Sequence, residues 1–453
     1  MGSLSTSTCG IRTARNGRPA PLTAVLVTSV LTTALAAGLL ATATTAVGAV
    51  GGQSITYMAY ISPQQAQALK KLTDAFYKQT GIEVKLLNVP WYDVWTKMKL
   101  MIAAGTPPDV YGGGVYAYDI AAMGALVDLT PYLQRDHLSL SNFFAAGVAA
   151  PRYGSIQYGL PFGINTTLLA YNADMVEEAG LSPPGTWKDK DWWTWDKYAE
   201  YAKKMTKDTN GDGSPDIFGG VAWPQGSLDV PWMFGTGWLS PDLKRTIIDS
   251  PGAIRSFTFV RRMIYELKAA PTPDQFGAFG YGISAGKIAM GSIGTWDVSN
   301  YPTVIKGFKW NVAAMPIGTD LPPGGGYAMP AYPDGFILFK GGNVEAAWQW
   351  VKFILFNEEN LRYFAANVVG QIPATVTAAR WYIENLRQKA PYLDLATVLQ
   401  APEHAQIQRL FFTTRTHDIQ AIADEGVWKI LAPNADVMNE VKTLASKIQG
   451  MLD

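Results

Sequence analysis

Between Ser54 and Ala125 the chain alternates strand-like and helix-like stretches, and this rhythm constrains the fold more than any other feature. Ser54–Ile61 (SITYMAYI) and Gly81–Pro90 (GIEVKLLNVP) have the β-branched and aromatic content of strands. Pro63–Gln79, with Pro near its start, and Trp91–Ala104, ended by Gly105-Thr106-Pro107-Pro108, have helical periodicity and helical stop signals. Asp109–Gly113 is a third short strand running into glycines, followed by a helix through Ala125. A βαβα order predicts an α/β lobe built on a mostly parallel sheet. Ligands of such sheets gather at loops beyond the strands' carboxyl ends, and Trp91, Tyr92, Tyr116 and Tyr118 fall in or just beyond such loops.

The chain has 453 residues, too many for one ordinary core, so two domains or lobes are expected. Strand-like segments return at Lys287–Ile293, Phe308–Pro316 and Asp334–Phe339, after which the chain is helical almost to its end. No tandem repeat or linker separates two halves, so the lobes are expected to be woven together by several crossings. Lysine plus arginine equals aspartate plus glutamate at 37 each. Bulk electrostatics therefore offers nothing to nucleic acid or an anionic membrane.

The start resembles an export signal: Arg12, Arg15 and Arg18 precede an uncharged Ala/Leu/Val/Thr run from Pro21 to Val50. Ala46-Val47-Gly48-Ala49 suits cleavage near Ala49, giving a signal peptide over 1–49. The competing reading is an uncleaved N-terminal anchor. The only cysteine, Cys9, precedes the apolar run, whereas a lipid-anchoring cysteine would follow it. A periplasmic or other extracytoplasmic location without a lipid anchor is expected.

Tyr158–Asn172 (YGLPFGINTTLLAYN) resembles a segment of the extracellular solute-binding proteins of ABC importers, the group that includes maltose-binding proteins. Ala104–Val110 (AAGTPPDV), Gly286–Trp296 (GKIAMGSIGTW) and Glu345–Pro373, with its final G-x-x-P turn, agree with that family in the same order. The resemblance covers roughly residues 54 to 380. It implies an α/β, two-lobed periplasmic-binding-protein-like fold of type II, with a hinge of crossing segments and a ligand cleft between the lobes. The crossings are expected near Pro161–Leu169, Phe279–Lys287 and Ala331–Leu338. The N-terminal lobe would then comprise 54–166 and 284–333, and the C-terminal lobe 167–283 and 334–453. The stretch after Trp381 matches nothing recognisable.

Fifteen tryptophans are present, eight of them between Trp187 and Trp296. An indole combines a flat apolar face with one N–H donor, which suits a sugar as well as it suits a core. Trp296 ends the Gly286–Trp296 match, and the resemblance implies that it lies under a sugar ring. Trp223, Trp232 and Trp238 sit in an aperiodic Pro/Gly-rich stretch, and Trp91 with Tyr92 at a strand-to-helix turn; all are candidate ligand contacts alongside Tyr116. Asp93, Asn165, Asp229, Asp297 and Gln371 are candidate partners for hydroxyls, with a solvated group or a helix cap as the alternative for each. Trp310, Trp348, Trp350 and Trp428 are assigned to the core; Trp187, Trp192, Trp193 and Trp195 stay open.

Asp208, Asn210, Asp212 and Asp216, with Gly213 at the sixth place, copy the start of an EF-hand loop, but Gly219 replaces the twelfth-place glutamate. The readings are a weak structural calcium site or a polar turn needing positive φ. No other cofactor is required. His137, His404 and His417 show no metal spacing, and no nucleophile elbow or phosphate loop is present. The resulting expectation is a non-catalytic, monomeric receptor delivering a sugar or oligosaccharide to an ABC permease. The alternatives are a secreted carbohydrate-active enzyme, or the same fold holding a polyamine or a glycerol phosphodiester.

Overall fold

A computed structural model describes residues 53–452 apart from 224–225, 276–278, 280–281, 319–328 and 408. The leader read over 1–49 lies outside the described residues. Among those described, no helix is long and apolar enough to cross a membrane.

The first three strands are β1 (Ser54–Ala59), β2 (Glu83–Asn88) and β3 (Val110–Gly114), all parallel. The helix Pro63–Thr80 joins β1 to β2. It opens with a reciprocal capping box between Ser62 and Gln65 and closes at Gly81, whose φ of 72° suits glycine. Two short strands, β4 (Arg152–Tyr153) and β5 (Ile156–Gln157), form a separate hairpin, followed by β6 (Gly159–Asn165) and β7 (Thr167–Asn172). The later strands are β8 (Met290–Gly294), β9 (Trp310–Ala313), β10 (Met329–Leu338) and β11 (Ala405–Ile407).

Two sheets result. The six-stranded sheet runs β11-β10-β3-β1-β2, with β6 also paired to β10; the three-stranded sheet runs β8-β7-β9. Period-two alternation gives each sheet two covered faces. Tyr57, Ala59, Phe336 and Leu338 pack on one side of the first sheet, Met58 and Ile337 on the other. In the second, Leu169 and Tyr171 face one apolar cluster and Leu168 and Ala170 another. Covering on both faces explains why β3, β6 and β7 are buried throughout. Asp109, within the P-P-D-V segment, ties the start of β3 to its surroundings, since its carboxylate accepts the Thr56 N–H at 2.7 Å and that of Asn343.

Strand pairing corrects the expected lobe boundaries. β8 and β9, expected in the first lobe, pair with β7 in the second sheet, while Asp334–Leu338, expected in the second lobe, pairs with β3 in the first. Among the described residues no crossing is seen near Phe279–Lys287, where Ile283 packs in the same cluster as Leu168 and Ile293. The chain leaves the first sheet after Asn165 and enters the second at Thr167. It returns with β10, whose Met329 still packs on the second-sheet core, and passes over again across 368–379, where Val368, Ala374 and Ala378 pack in the first-sheet core and Ile372 and Ala379 in a second-sheet cluster. Thr166 fastens the first passage: its N–H donates to Thr295 Oγ1 (3.2 Å), its hydroxyl to the Pro330 carbonyl (3.0 Å), and its own carbonyl accepts from the Thr295 N–H.

The C-terminal stretch serves both sheets. Ala405–Ile407 extends the first sheet beside β10, whereas Ile419, Ala423 and Val427 of the helix Thr416–Leu431 enter the second-sheet core. At the start of that helix His417 Nδ1 meets Asp119 Oδ2 at 2.9 Å, and Lys99 meets the same oxygen at 2.8 Å.

Candidate functional site

Residues at the carboxyl ends of β1, β2 and β3 make one wall. Asn88 clamps the turn after β1 by accepting the Ile61 N–H (3.0 Å) and donating to its carbonyl (2.8 Å). Tyr60 and Trp91 follow these strands and meet edge to face at 4.7 Å. Trp91 is 41% exposed and Tyr92 93% exposed, so both keep apolar surface free. Asp93 precedes the helix Val94–Ala103 and makes no side-chain cap bond. Tyr116 lies beside Gly114, where any Cβ would come within 2.7 Å of its ring.

A second group of candidates follows the second sheet. Trp296 follows β8, and its ring folds back over Gly294 so closely that a Cβ there would lie 2.1 Å away. The indole is half-buried and stands 6.0 Å from Tyr332 of β10 at an interplanar angle of 80°. Tyr332 donates its hydroxyl to Asp229 Oδ1 at 2.5 Å, which links a first-sheet strand to the turn Ser227–Trp232 of the other lobe. Asp297, next to Trp296, is half-buried, and burial pushes its carboxyl up.

The floor lies where the chain passes between sheets. Asp334 Oδ2 accepts from Gln371 Nε2 at 2.5 Å and from Asn165 Nδ2 at 3.4 Å; Thr295 Oγ1 donates to Asn165 Oδ1 at 3.4 Å. Asn165, Asp334 and Gln371 thus join three passages of chain, and all three are buried. Burial raises Asp334 to about 7, against a smaller lowering by the Gln371 amide. Burial also holds the Tyr116 hydroxyl well above its ordinary value, with the Asp334 and Asp229 carboxylates adding to the effect.

Of the expected residues, contacts link Trp91, Tyr116, Asn165, Asp229, Trp296 and Gln371: a Cβ on Gly114 would stand 2.7 Å from Tyr116 and 3.6 Å from Trp91, Tyr332 joins Trp296 to Asp229, and Asp334 joins Gln371 to Asn165. Tyr92 and Asp93 follow Trp91 in the same short turn, and Asp297 lies beside Tyr301 and Tyr382. Trp223 and Trp238 belong elsewhere. Both are buried in the second-sheet core: Trp223 meets Trp428 at 5.6 Å, and Trp238 donates to the Leu228 carbonyl at 2.8 Å. Their stretch lacks a period because it is irregular, yet it is wrapped inward. Trp232, on the turn that carries Asp229, is buried with its ring 3.5 Å from where a Cβ on Gly237 would stand. Trp310, Trp348 and Trp350 are buried and Trp428 is partly buried. Of the four tryptophans left open, Trp187, Trp193 and Trp195 are buried and Trp192 is 39% exposed.

Sequence reasoning missed Tyr60, Tyr332 and Asp334. A signal for Asp334 existed: it is the single charged residue in the otherwise apolar strand MPAYPDGFIL. The Asp208–Asp216 turn closes on itself. Asp208 accepts the N–H groups of Gly211 and Gly213, and Asp216 accepts from Thr209 and Asn210. Gly211 and Gly213 have the positive φ expected of such a turn, 79° and 89°. Among the described residues no three His, Cys, Asp or Glu side chains converge as metal ligands.

Residues 71–390, more than half of the chain, match the bacterial extracellular solute-binding protein family. The chain belongs to that family. Its location is accordingly extracytoplasmic. Among related solute-binding proteins, the maltodextrin-binding protein MdxE of Bacillus subtilis is 25% identical over 69% of this chain and 71% of its own length. The arabinooligosaccharide-binding protein of the same organism is 22% identical over 70% and 71%. An ABC substrate-binding protein of Listeria monocytogenes, solved with cycloalternan, superposes with a TM-score of 0.75 at 23% identity, over 88% of this chain and 99% of that one. A maltose/maltodextrin-binding domain of Bdellovibrio bacteriovorus, bound to maltotriose, gives 0.71 at 20% identity over 88% and 99%. The two-lobed α/β architecture expected from the sequence is thus the fold of this solute-binding protein.

Proposed function

We propose that this solute-binding protein captures a sugar or oligosaccharide in the inter-lobe cleft and delivers it to an ABC permease. The observation that carries the proposal is the pairing of accessible aromatic faces with buried directional groups. Trp91 beside Tyr60 belongs to the first lobe and Trp296 beside Tyr332 follows a strand of the second sheet, while Asn165, Gln371 and Asp334 form a buried polar cluster where the chain passes between sheets. A pyranose presents an apolar face to an indole while its rim hydroxyls seek amides and carboxylates. The names of the two Bacillus relatives support the same ligand class.

The lobes move about the passages at Thr166, ahead of β10, and across 368–379. The first sheet with the helices of 344–369 turns against the second sheet with those of 395–404 and 416–452. Ligand favours the closed state through contacts that open lobes cannot make, and a permease reads the closed shape. The protein acts as a monomer, without catalysis, nucleic acid or a required cofactor, and reaches its compartment through the leader over 1–49. The Asp208–Asp216 turn takes at most a weak structural calcium ion; calorimetry of calcium-stripped protein that shows no heat at millimolar calcium removes that site.

A thermal-shift panel of mono- and oligosaccharides tests the main reading. A matching sugar raises the melting temperature in proportion to the logarithm of its concentration above Kd. A panel in which no saccharide shifts the transition while a non-sugar solute does overturns it. Release of shortened products during incubation would instead support an enzyme.

A further inference from the structure

Asp334 is 6% exposed and forms no ion pair among the described residues; its hydrogen-bond partners are the neutral amides of Asn165 and Gln371. A buried carboxylate in neutral surroundings either stays protonated or gains from an opposite charge brought in from outside. Its neighbour carries the complementary vacancy. Gln371, 8% exposed, spends Nε2 on Asp334, and its Oε1 has no hydrogen-bond partner. That oxygen occupies space kept by Gly163, where a Cβ would stand 2.2 Å from it. Two adjacent acceptors are better matched by a group with several N–H donors than by a hydroxyl, which has one. Trp296 and Tyr332, 6.0 Å apart, offer ring faces that favour a cation.

We propose that the saccharide taken by this cleft carries a free amine, as an oligomer of unacetylated amino sugar does, and that Asp334 with Gln371 receives its ammonium group. The proposal rests on the sugar reading above and narrows it. It also implies a proton linkage. Asp334 is raised to about 7, so the carboxylate that an ammonium needs becomes available as pH rises through that value. Its charge acts on Tyr57, Tyr60, Tyr111 and Tyr116, and Tyr332 and Asp229 lie next to Tyr116; burial first holds all five tyrosines above their ordinary value, so none of these tyrosines titrates in that window.

Calorimetric titration of the full-length protein with three tetramers of equal length, built from glucosamine, N-acetylglucosamine and glucose, decides the matter. At pH 7.5 the glucosamine tetramer is expected to bind at least tenfold more tightly than the other two, and that preference is expected to shrink at pH 5.5, where Asp334 regains its proton, and well above neutrality, where the amines have lost theirs. Asp334→Asn is expected to abolish the preference. If that variant fails to fold, the wild-type pH comparison carries the same test. Equal or tighter binding of a neutral tetramer at pH 7.5 overturns this inference and leaves the sugar reading standing. Binding of a linear polyamine with none of the three tetramers overturns both.

Discussion

Trp91-Tyr92 and the stretch Val221–Leu239 both concentrate aromatic side chains outside regular periodicity, yet they end in opposite environments. Trp91 and Tyr92 follow the carboxyl end of β2 and keep 41% and 93% of their surface exposed. Trp223 and Trp238, in the longer stretch, are sealed into the second-sheet core. The difference teaches that position relative to a parallel sheet says more about access than irregularity does. A turn beyond a strand's carboxyl end has the sheet on one side only. A long irregular connection carrying many apolar residues can fold over a sheet face and become its cover.

The largest expected effect tests the buried half of this comparison. Trp223→Ala should lower unfolding stability by about 3–5 kcal/mol, the range for truncating a large buried aromatic. Urea denaturation followed by far-UV circular dichroism measures it. A midpoint within error of wild type would move Trp223 out of the core and restore it as a ligand candidate.

Asp334 sharpens the contrast from the floor of the cleft, because it is buried like Trp223 but polar. Its carboxyl is raised to about 7 from an ordinary 3.8. The folded protein therefore holds a proton that the unfolded chain has released, and this contribution to stability decays as pH climbs from about 4 to about 7. Asp334→Asn removes that loss. At pH 8 the variant is expected to be more stable by up to about 4 kcal/mol, using 1.36 kcal/mol per pKa unit, and near pH 4 the gain should vanish. Melting curves at the two pH values check it, and a variant less stable at pH 8 would mean that the carboxylate has a favourable partner.

Both strand order and site were partly legible in the sequence, for separable reasons. β1 to β3 and their helices follow local periodicity and stop signals, so their existence was readable from Ser54 to Gly114. Trp296 and Asn165 were readable through matched segments. Lobe membership of β8, β9 and β10 was not, because it depends on which strand lies beside β7, and no local pattern encodes a partner more than 100 residues away. The same holds for Tyr332, whose role comes from meeting Asp229 across the lobes at 2.5 Å. Trp223 and Trp238 escape a local reading because a missing period does not by itself mean surface.

The tie between Asp119 and His417 gives a third, smaller effect. Burial pushes the Asp119 carboxyl up, but hydrogen bonds and charge from His417 and Lys99 outweigh it and hold the group below its ordinary value. A depressed carboxyl contributes stability above its unfolded-state pKa and loses it as pH falls through the folded value. Truncating the partner by His417→Gln should cost about 1.5–3 kcal/mol at neutral pH, the range for a hydrogen bond to a charged group. The loss should diminish in acid. A cost that persists undiminished at pH 3 would assign it to packing of the ring against Trp95, which lies 4.4 Å away, rather than to the charge.

Trp91 supplies the smallest effect and the most direct test of the exposed half. Its indole loses little contact with the protein when removed, since Tyr60 is its aromatic neighbour and much of its surface already faces solvent. Trp91→Ala should therefore change unfolding stability by less than about 0.5 kcal/mol, as surface substitutions generally do. A ring stacked on a ligand contributes about 0.5–1.5 kcal/mol beyond its area, so the same substitution should weaken saccharide binding by roughly two- to twelvefold. Trp223→Ala is expected to show the reverse pattern, with a large stability loss and, at temperatures where the fold persists, unaltered affinity. Measuring both quantities on both variants crosses the two regions. If Trp91→Ala destabilises the fold and leaves affinity intact, then exposure beyond the carboxyl end of β2 has been misread as a binding wall, and the cleft must draw its aromatic faces from Trp296 and Tyr332 alone.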